Sequence, residues 1–222
     1  MIKHISFDFW LTLFRPNPLF RTKRAAFIKN CFHPESSVTD IVQCISAQDK
    51  IFDNKNQEED TKIPAVEMFR TVLEKLNILS DDLQRDATTL INRSNQLFLE
   101  YPPEPLNDHV PSILEKLVSM GITLSIGSNT GFVEGETLRI FLQQKGLFNY
   151  FSFCIFSDEI KSSKPSARFF NAILNQSQQP KQQILHIGDN PVADAMGAAQ
   201  FGFQYLLIAN QDYSFDDIGA KL

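Results

Sequence analysis

From residue 110 to the C-terminus, short apolar runs alternate with segments of helical spacing, and this alternation constrains the fold more than any other feature of the sequence. Such alternation is typical of a parallel sheet that helices cover on both faces. We predict helices over 110–120, 133–145, 166–176 and 192–201. We predict strands over 2–8, 122–127, 151–156, 183–188 and 203–208. Because the first strand lies far upstream of the others, a long segment must be inserted after it.

The inserted segment has a different pattern, because its apolar residues recur at helical spacing and no strand signal interrupts them. Four helices are predicted: the first ends at His33-Pro34, the second starts after Ser36 or Ser37, the third follows Ile63, and the fourth starts after Ser80. The polar stretch 53–62 is expected to be an exposed end or loop. The Pro-rich sequence at 101–105 then forms a stiff linker.

Together these patterns predict an α/β fold with two parts. The first is a Rossmann-like parallel sheet core with helices on both faces, formed by residues 1–15 and 102–222. The second is an inserted all-α helical cap over residues 16–101. A length of 222 residues is sufficient for one large core with such an insert.

Composition and charge exclude several other classes of protein. The chain carries 21 Lys and Arg against 26 Asp and Glu, and a net charge of −5 argues against nucleic-acid binding. Its three cysteines form no Cys-x-x-Cys pair and its four histidines have no metal-ligand spacing, which excludes zinc ribbons and indicates a reducing compartment. No apolar run reaches the roughly 18 residues of a membrane span. We therefore expect a cytoplasmic protein that binds neither nucleic acid nor membrane, with an oligomeric state that the sequence does not indicate.

Four of the predicted strands end in residues that are able to carry chemistry. Asp8 ends the first strand, Ser128-Asn129 follows the second, Lys164 lies in the polar loop after the third, and Asp189 follows the fourth. In open parallel sheets the binding site forms outside the carboxyl ends of the strands. The sequence therefore predicts that these residues meet at one edge of the sheet.

The residue types at this edge suit phosphoryl transfer. Asp8 and Asp189 would repel each other unless a cation lay between them, and oxygen ligands suit Mg²⁺. The hydroxyl of Ser128 and the ammonium of Lys164 are able to hold a tetrahedral anion, and a carboxylate that faces phosphorus can act as a nucleophile. Each residue alone has an ordinary structural interpretation, as a turn, a helix cap or a surface lysine. The functional hypothesis depends on all of them meeting.

In order and spacing, these residues resemble the four motifs of the haloacid dehalogenase superfamily, whose members are mostly Mg²⁺-dependent phosphatases. The motifs read Phe7-Asp8-Phe9-Trp10-Leu11-Thr12-Leu13, then Ser128, then Lys164-Pro165, then Gly188-Asp189 with Asp194 five residues on. The inserted helical segment resembles the helical cap of the same superfamily. The resemblance therefore covers the whole chain.

The resemblance implies a nucleophile and a metal site. Asp8 would be the nucleophile and a ligand of Mg²⁺. The backbone carbonyl of Trp10 and the carboxylate of Asp189 would be further ligands, with Asp194 in support.

The resemblance also implies which residues handle the substrate. Ser128 and Lys164 would bind the transferred group, with Asn129 beside it, and Thr12 would orient the first loop. The substrate would be a small molecule, phosphorylated or otherwise anionic.

Trp10 is a departure from the phosphatases of the superfamily, which usually carry an Asp two residues after the nucleophile to protonate the leaving group. An indole has no proton of this kind to give, and general acid catalysis contributes about 10²–10⁴-fold. We therefore expect slow hydrolysis of alkyl phosphates unless the substrate or a cap residue, such as His33 or a lysine, supplies the proton.

The same departure leaves two alternatives open. Dehalogenases of the superfamily also carry an aromatic residue here, but they lack the metal-binding Asp of the fourth motif, whereas this chain has Asp189 and Asp194. They also carry a cap arginine that binds the substrate carboxylate, and no residue of this chain matches it by motif, since Arg15, Arg21 and Arg24 are near in sequence only. Both points favour the phosphatase. Loss of the acid with retention of the binding groups is also typical of a non-catalytic phosphate-binding or regulatory protein.

Overall fold

The computed structural model describes residues 1–208 and 213–222 and confirms the predicted α/β fold. Its strands are β1 (His4–Phe7), β2 (Phe14–Arg15), β3 (Glu104–Pro105), β4 (Thr123–Ser128), β5 (Phe151–Phe156), β6 (Ile184–Gly188) and β7 (Gln204–Leu207). Five of them form a parallel sheet in the order β5-β4-β1-β6-β7. β1 therefore lies at the centre, and the ends of β4 and β6 flank its carboxyl end.

Four helices lie between β2 and β3. They are α1 (Pro18–Phe32), α2 (Val38–Glu58), α3 (Ala65–Lys75) and α4 (Leu83–Glu100). These helices pack around an apolar cluster of their own, which includes Ile28, Ile45, Phe69 and Leu90. β2 and β3 pair antiparallel where the chain leaves the sheet domain and returns to it. Residues 16–101 are called the helical insertion below.

Helices cover both faces of the sheet because successive side chains of a strand point to opposite faces. The remaining helices are α5 (Val110–Ser119), α6 (Gly135–Gln144), α7 (Ser157–Ile160), α8 (Ala167–Ser177), α9 (Gly197–Phe201) and α10 (Phe215–Gly219). One face packs Ile5 and Ile126 against Leu114 and Phe141 of α5 and α6. The other face packs Ile184 against residues of α8 and α9. Within the described ranges, no helix has both the length and the apolar character to cross a membrane.

The start of the fourth helix differs from its predicted position. Ser80 does not cap the helix, because its hydroxyl donates to Asp86 Oδ2 at 2.6 Å. Asp82 is the cap instead, and its side chain accepts the N–H of Arg85 at 2.9 Å. Both residues are good caps, so sequence alone does not choose between them.

The prediction of an exposed end or loop over residues 53–62 is only partly right, because residues 54, 55 and 58–60 are exposed but the others are not. Helix α2 continues to Glu58, and both Asn56 and Lys62 are buried. The side chain of Asn56 accepts the N–H of Ile63 at 2.8 Å, which fixes the chain as it leaves the helix. Polar residues here therefore have structural contacts, and Asp53 lines a cavity.

Candidate active site

Three carboxylates meet at the carboxyl ends of β1 and β6. Asp8 follows β1, Asp189 follows β6, and Asp194 lies in a π-helical segment, Pro191–Met196, that leads into α9. One oxygen atom from each carboxylate lies within 4.8 Å of the other two. A set of hard oxygen donors at this spacing fits a divalent cation such as Mg²⁺.

A buried lysine joins two of these carboxylates. Lys164 Nζ lies 2.6 Å from Asp8 Oδ1 and 2.6 Å from Asp194 Oδ1, and only 2% of the lysine side chain is exposed. Ser128 Oγ donates to the same Asp8 oxygen at 2.9 Å. Among the described residues no hydrogen bond reaches Oδ2 of Asp8, so this oxygen is available to react.

Burial dominates the protonation of the site. It raises the pKa of Asp8 to about 6, against the lowering effect of Lys164. Burial and the charge of Asp194 also raise the pKa of Asp189 to about 6. Burial alone would raise the pKa of Asp194 as well, but Lys164 and His186 hold it below its usual range. A divalent cation would relieve the repulsion between the carboxylates.

Asp194 is held in one orientation from two sides. Its Oδ2 accepts the N–H of Asn190 at 2.9 Å, and its Oδ1 lies 3.0 Å from Nε2 of His186. A carboxylate only accepts hydrogen bonds, so Nε2 of His186 carries the proton. A Cβ atom at Gly188 would overlap the Asp194 carboxylate, so this position requires glycine. These contacts fix the carboxylate that in turn holds Lys164.

Asn129 positions the backbone of the lysine. Its Nδ2 donates to the Lys164 carbonyl at 3.1 Å, and the Lys164 N–H donates to its Oδ1 at 2.8 Å. Both ends of the amide are therefore engaged.

Thr12 does not join the other predicted site residues at the cavity. It is buried, its carbonyl accepts the hydroxyl of Tyr213 at 3.0 Å, and its own hydroxyl has no partner among the described residues. Thr12 lies within the loop between β1 and β2 but is not among the residues that line the cavity.

A cavity of about 370 Å³ lies between the three carboxylates and the helical insertion. Its apolar wall includes five aromatic side chains: Trp10, Phe20, Phe98, Tyr101 and Phe132. The rings of Trp10 and Phe98 pack edge to face, with their centroids 6.1 Å apart. The cavity is large enough for a small molecule, and Trp10 forms part of its wall.

Of the three arginines near the first strand, the structure buries Arg24 at the cavity, with 8% of the residue exposed. Its guanidinium lies 4.8 Å from the centre of the Phe20 ring and 5.4 Å from that of Phe132. Its Nε has no hydrogen-bond partner among the described residues, and burial lowers its pKa to about 10. Arg21 lines the cavity from an exposed position, whereas Arg15 pairs with Glu104 away from it.

The sequence patterns did not indicate two side chains at the site, His186 and Asp53. The structure also places His33, one of the expected proton donors, away from the cavity. His186 lies inside an apolar strand, where only its imidazole hints at a polar contact. Asp53 lies in the stretch predicted to be exposed, although its spacing of four from Asp49 puts both on one helix face. His33 is the exposed C-cap of α1 and does not line the cavity.

A parallel sheet carries a buried, lysine-bound carboxylate after its central strand, with acidic residues beside it and a helical insertion above it. This is the arrangement expected of the hydrolase superfamily that the sequence resembles. Residues 5–208 match the family described as haloacid dehalogenase-like hydrolase, and the chain belongs to this family. The predicted superfamily is thereby confirmed.

Two curated relatives show the range of the family. The chain is 29% identical over 112 residues to (S)-2-haloacid dehalogenase 2 of Pseudomonas sp. strain CBS-3, which covers 50% of this chain and 47% of the relative. It is 26% identical over 101 residues to haloacid dehalogenase-like hydrolase domain-containing protein 3 of Danio rerio, covering 46% and 40%. The matches therefore span about half the length of these relatives or less.

Solved structures share the fold. YfnB of Bacillus subtilis, described as a HAD-hydrolase bound to magnesium, superposes with a TM-score of 0.68 at 18% identity, over 93% of this chain and 86% of that one. 2-Haloacid dehalogenase of Pseudomonas syringae pv. Tomato DC3000 superposes with a TM-score of 0.68 at 22% identity, over 97% and 90%. At these identities the likeness extends to the fold alone.

Proposed function

We propose that this chain is a Mg²⁺-dependent phosphatase that forms an aspartyl-phosphate on Asp8. The observation that carries the proposal is the position of Asp189 and Asp194, whose carboxylates lie within 4.8 Å of that of Asp8. Phosphoryl transfer depends on neutralising the charge of the phosphoryl oxygens, and a cation held by these carboxylates would do so. Release of a halide ion from a haloacid does not require a cation to neutralise phosphoryl oxygens.

In the proposed reaction, Oδ2 of Asp8 attacks phosphorus as the bond from phosphorus to the ester oxygen breaks, while Oδ1 stays held by Lys164 at 2.6 Å. The hydroxyl of Ser128, which donates to Oδ1 at 2.9 Å in this structure, turns to a phosphoryl oxygen, and the third N–H of the Lys164 ammonium binds another. Asn129 keeps the lysine in place. Mg²⁺, held by Asp8, Asp189 and the carbonyl of Trp10 with Asp194 in support, would supply charge neutralisation. Water then hydrolyses the aspartyl-phosphate and regenerates the carboxylate.

The helical insertion is proposed to act as a cap that keeps bulk water out of the cavity. Two hydrogen bonds join the segment between α2 and α3 to the loop that bears Lys164. Ser162 Oγ donates to Asp60 Oδ1 at 2.6 Å, and Ser163 Oγ donates to the Thr61 carbonyl at 2.8 Å. Movement of the helical insertion towards a bound substrate would therefore also move the loop that bears Lys164.

Turnover of 4-nitrophenyl phosphate is expected to require Mg²⁺, because this ester has an acidic leaving group and tests the nucleophile and the metal without needing a proton donor. The rate should fall to the background level with a chelator and return when Mg²⁺ is added in excess. An equal rate with and without the chelator would contradict the metal site. Binding of phosphate without any turnover would instead support a non-catalytic phosphate-binding protein.

A second candidate function, hydrolysis of 2-haloacids, is favoured by Arg24. A buried guanidinium at the cavity wall, whose Nε has no acceptor among the residues that the structure describes, suits the carboxylate of such a substrate. The two functions differ in their product, so halide release from 2-chloropropionate in the presence of a chelator, with no hydrolysis of phosphate esters, is the outcome that favours the dehalogenase.

A further inference from the structure

The proposed reaction lacks a proton donor for the leaving group, because Trp10 occupies the position from which an acid would act. Three of the carboxyl groups at the cavity already contact Lys164 or form the proposed metal site. The helical insertion contributes two more, Asp49 and Asp53, both on α2 and one helical turn apart. One of these two is therefore the natural candidate for the missing acid.

The surroundings of the two carboxyl groups distinguish them. Asp49 lies against the backbone of the loop after β4, since a Cβ atom at Gly131 would be only 2.6 Å from its Oδ1. The charge that acts most strongly on Asp49 is that of Arg24, on the insertion side of the cavity.

Asp53 lines the same cavity as the three carboxylates of the proposed metal site. Gln57 Nε2 donates to its Oδ2 at 2.7 Å, which holds the carboxyl group at the cavity wall. The ammonium of Lys164, which contacts Asp8 at 2.6 Å, is one of the charges that act on the pKa of Asp53. Among the described residues, Asp53 is therefore the insertion carboxyl that a hydrogen bond holds at the cavity wall.

We propose that Asp53 is the general acid and base of the reaction and supplies from the helical insertion the proton that Trp10 does not. This inference rests on the proposed phosphatase function. It makes closure of the insertion a condition for proton transfer as well as for exclusion of water.

The charges around Asp53 favour its protonated form. Burial, and after it the charge of Asp49 on the same helix, raises the pKa of Asp53. The hydrogen bond from Gln57 and the charges of Lys164 on the core loop and Lys62 at the end of the insertion loop oppose this shift without reversing it. A raised pKa keeps the proton on the group to higher pH, as a general acid requires.

The proton balance closes over one turnover. Asp8 Oδ2 forms a bond to phosphorus as the bond from phosphorus to the ester oxygen breaks, and that oxygen takes the proton of Asp53. The Asp53 carboxylate then removes a proton from the water that attacks phosphorus. The Asp8–phosphorus bond breaks, inorganic phosphate leaves, and both carboxyl groups return to their starting states.

The test compares Asp53→Asn with Asp49→Asn on phosphate esters graded by leaving-group acidity, from 4-nitrophenyl phosphate to alkyl phosphates. Asparagine keeps an acceptor for Gln57 and removes only the proton. In Asp53→Asn we expect alkyl phosphate turnover to fall by about 10²–10⁴-fold while 4-nitrophenyl phosphate turnover stays within a few-fold. The wild type should show a weak dependence on leaving-group acidity, and so should Asp81→Asn, a change at an exposed residue outside the cavity. A strong dependence in Asp49→Asn would assign the acid to Asp49 and overturn the inference.

The pH profile provides a readout that a structural role would not move. With an alkyl phosphate, the wild-type rate should fall as pH rises through the pKa of Asp53, and this decline should be absent in Asp53→Asn. An equal loss on every ester, or an unchanged slope in Asp53→Asn, overturns the inference while Mg²⁺-dependent cleavage of 4-nitrophenyl phosphate upholds the phosphatase. A protein that cleaves none of the esters overturns both.

Discussion

Asp8→Asn is expected to lower the rate of phosphate ester hydrolysis by about 10⁴-fold or more, because it removes the atom that attacks phosphorus. Asparagine retains an acceptor for Ser128 and Lys164, which contact Asp8 at 2.9 and 2.6 Å, so the loss should not come from unfolding. Initial rates with 4-nitrophenyl phosphate and Mg²⁺ measure the effect, and thermal unfolding checks that the variant is folded.

Asp81→Asn is the matched control for this variant, since Asp81 is exposed and lies outside the cavity. Its rate should equal that of the wild type. Turnover by Asp8→Asn within about tenfold of the wild type, well short of a nucleophile's usual effect, would remove Asp8 from the nucleophile's role and leave the carboxylate cluster without its proposed chemistry.

Lys164→Met is expected to destabilise the fold by about 3–5 kcal/mol, because it leaves two buried carboxylates without their cation. Lys164 Nζ lies 2.6 Å from both Asp8 and Asp194, and the exposed fractions of the three side chains are 2%, 8% and 3%. Solvent therefore does little to screen the charges that remain. Urea unfolding at pH 7 measures the change in the free energy of unfolding.

Lys145→Met serves as its control, since Lys145 is exposed at the end of α6. A surface change of this kind should alter the free energy of unfolding by less than about 0.5 kcal/mol. If Lys164→Met were as stable as this control, the lysine could not be neutralising the carboxylates as its contacts indicate. Saturating Mg²⁺ should restore part of the stability of Lys164→Met, because a bound cation would neutralise the same oxygens.

The core of this fold is readable from its sequence because its strands are buried and apolar. The predicted strand over 151–156 has the same bounds in the structure, and the others differ by one or two residues. β2 and β3 are a different case, since two-residue strands carry no periodic signal and arise only where the chain leaves and re-enters the core.

The site was predictable to the extent that its residues follow strand ends. Asp8 and Asp189 follow β1 and β6 and Ser128 ends β4, and parallel pairing brings the ends of these strands to one edge of the sheet. Lys164 lies farther along the chain, beyond the short helix α7 that follows β5. His186 acts inside a strand instead, and its contact with Asp194 follows from the path of the π-helical segment beside it. No sequence period indicates that contact.

Because residues 53–62 were predicted to be exposed, the candidate acid Asp53 was also missed. Residues 53–62 look like a solvated loop because they are polar, yet Asp53 remains on α2 and faces the cavity. Polar residues are exposed to bulk solvent only where no other part of the protein lies against them. Asp53 instead lines a cavity whose other walls come from distant parts of the chain.

The most direct test of the central claim is to trap the aspartyl-phosphate. The protein would be mixed with 4-nitrophenyl phosphate and Mg²⁺, quenched in acid within one turnover, and digested for mass spectrometry. The account predicts one phosphoryl group on the peptide that contains Asp8, absent from Asp8→Asn and absent when a chelator replaces Mg²⁺. Release of inorganic phosphate in a full turnover with no phosphoryl group on Asp8 at any quench time would contradict it.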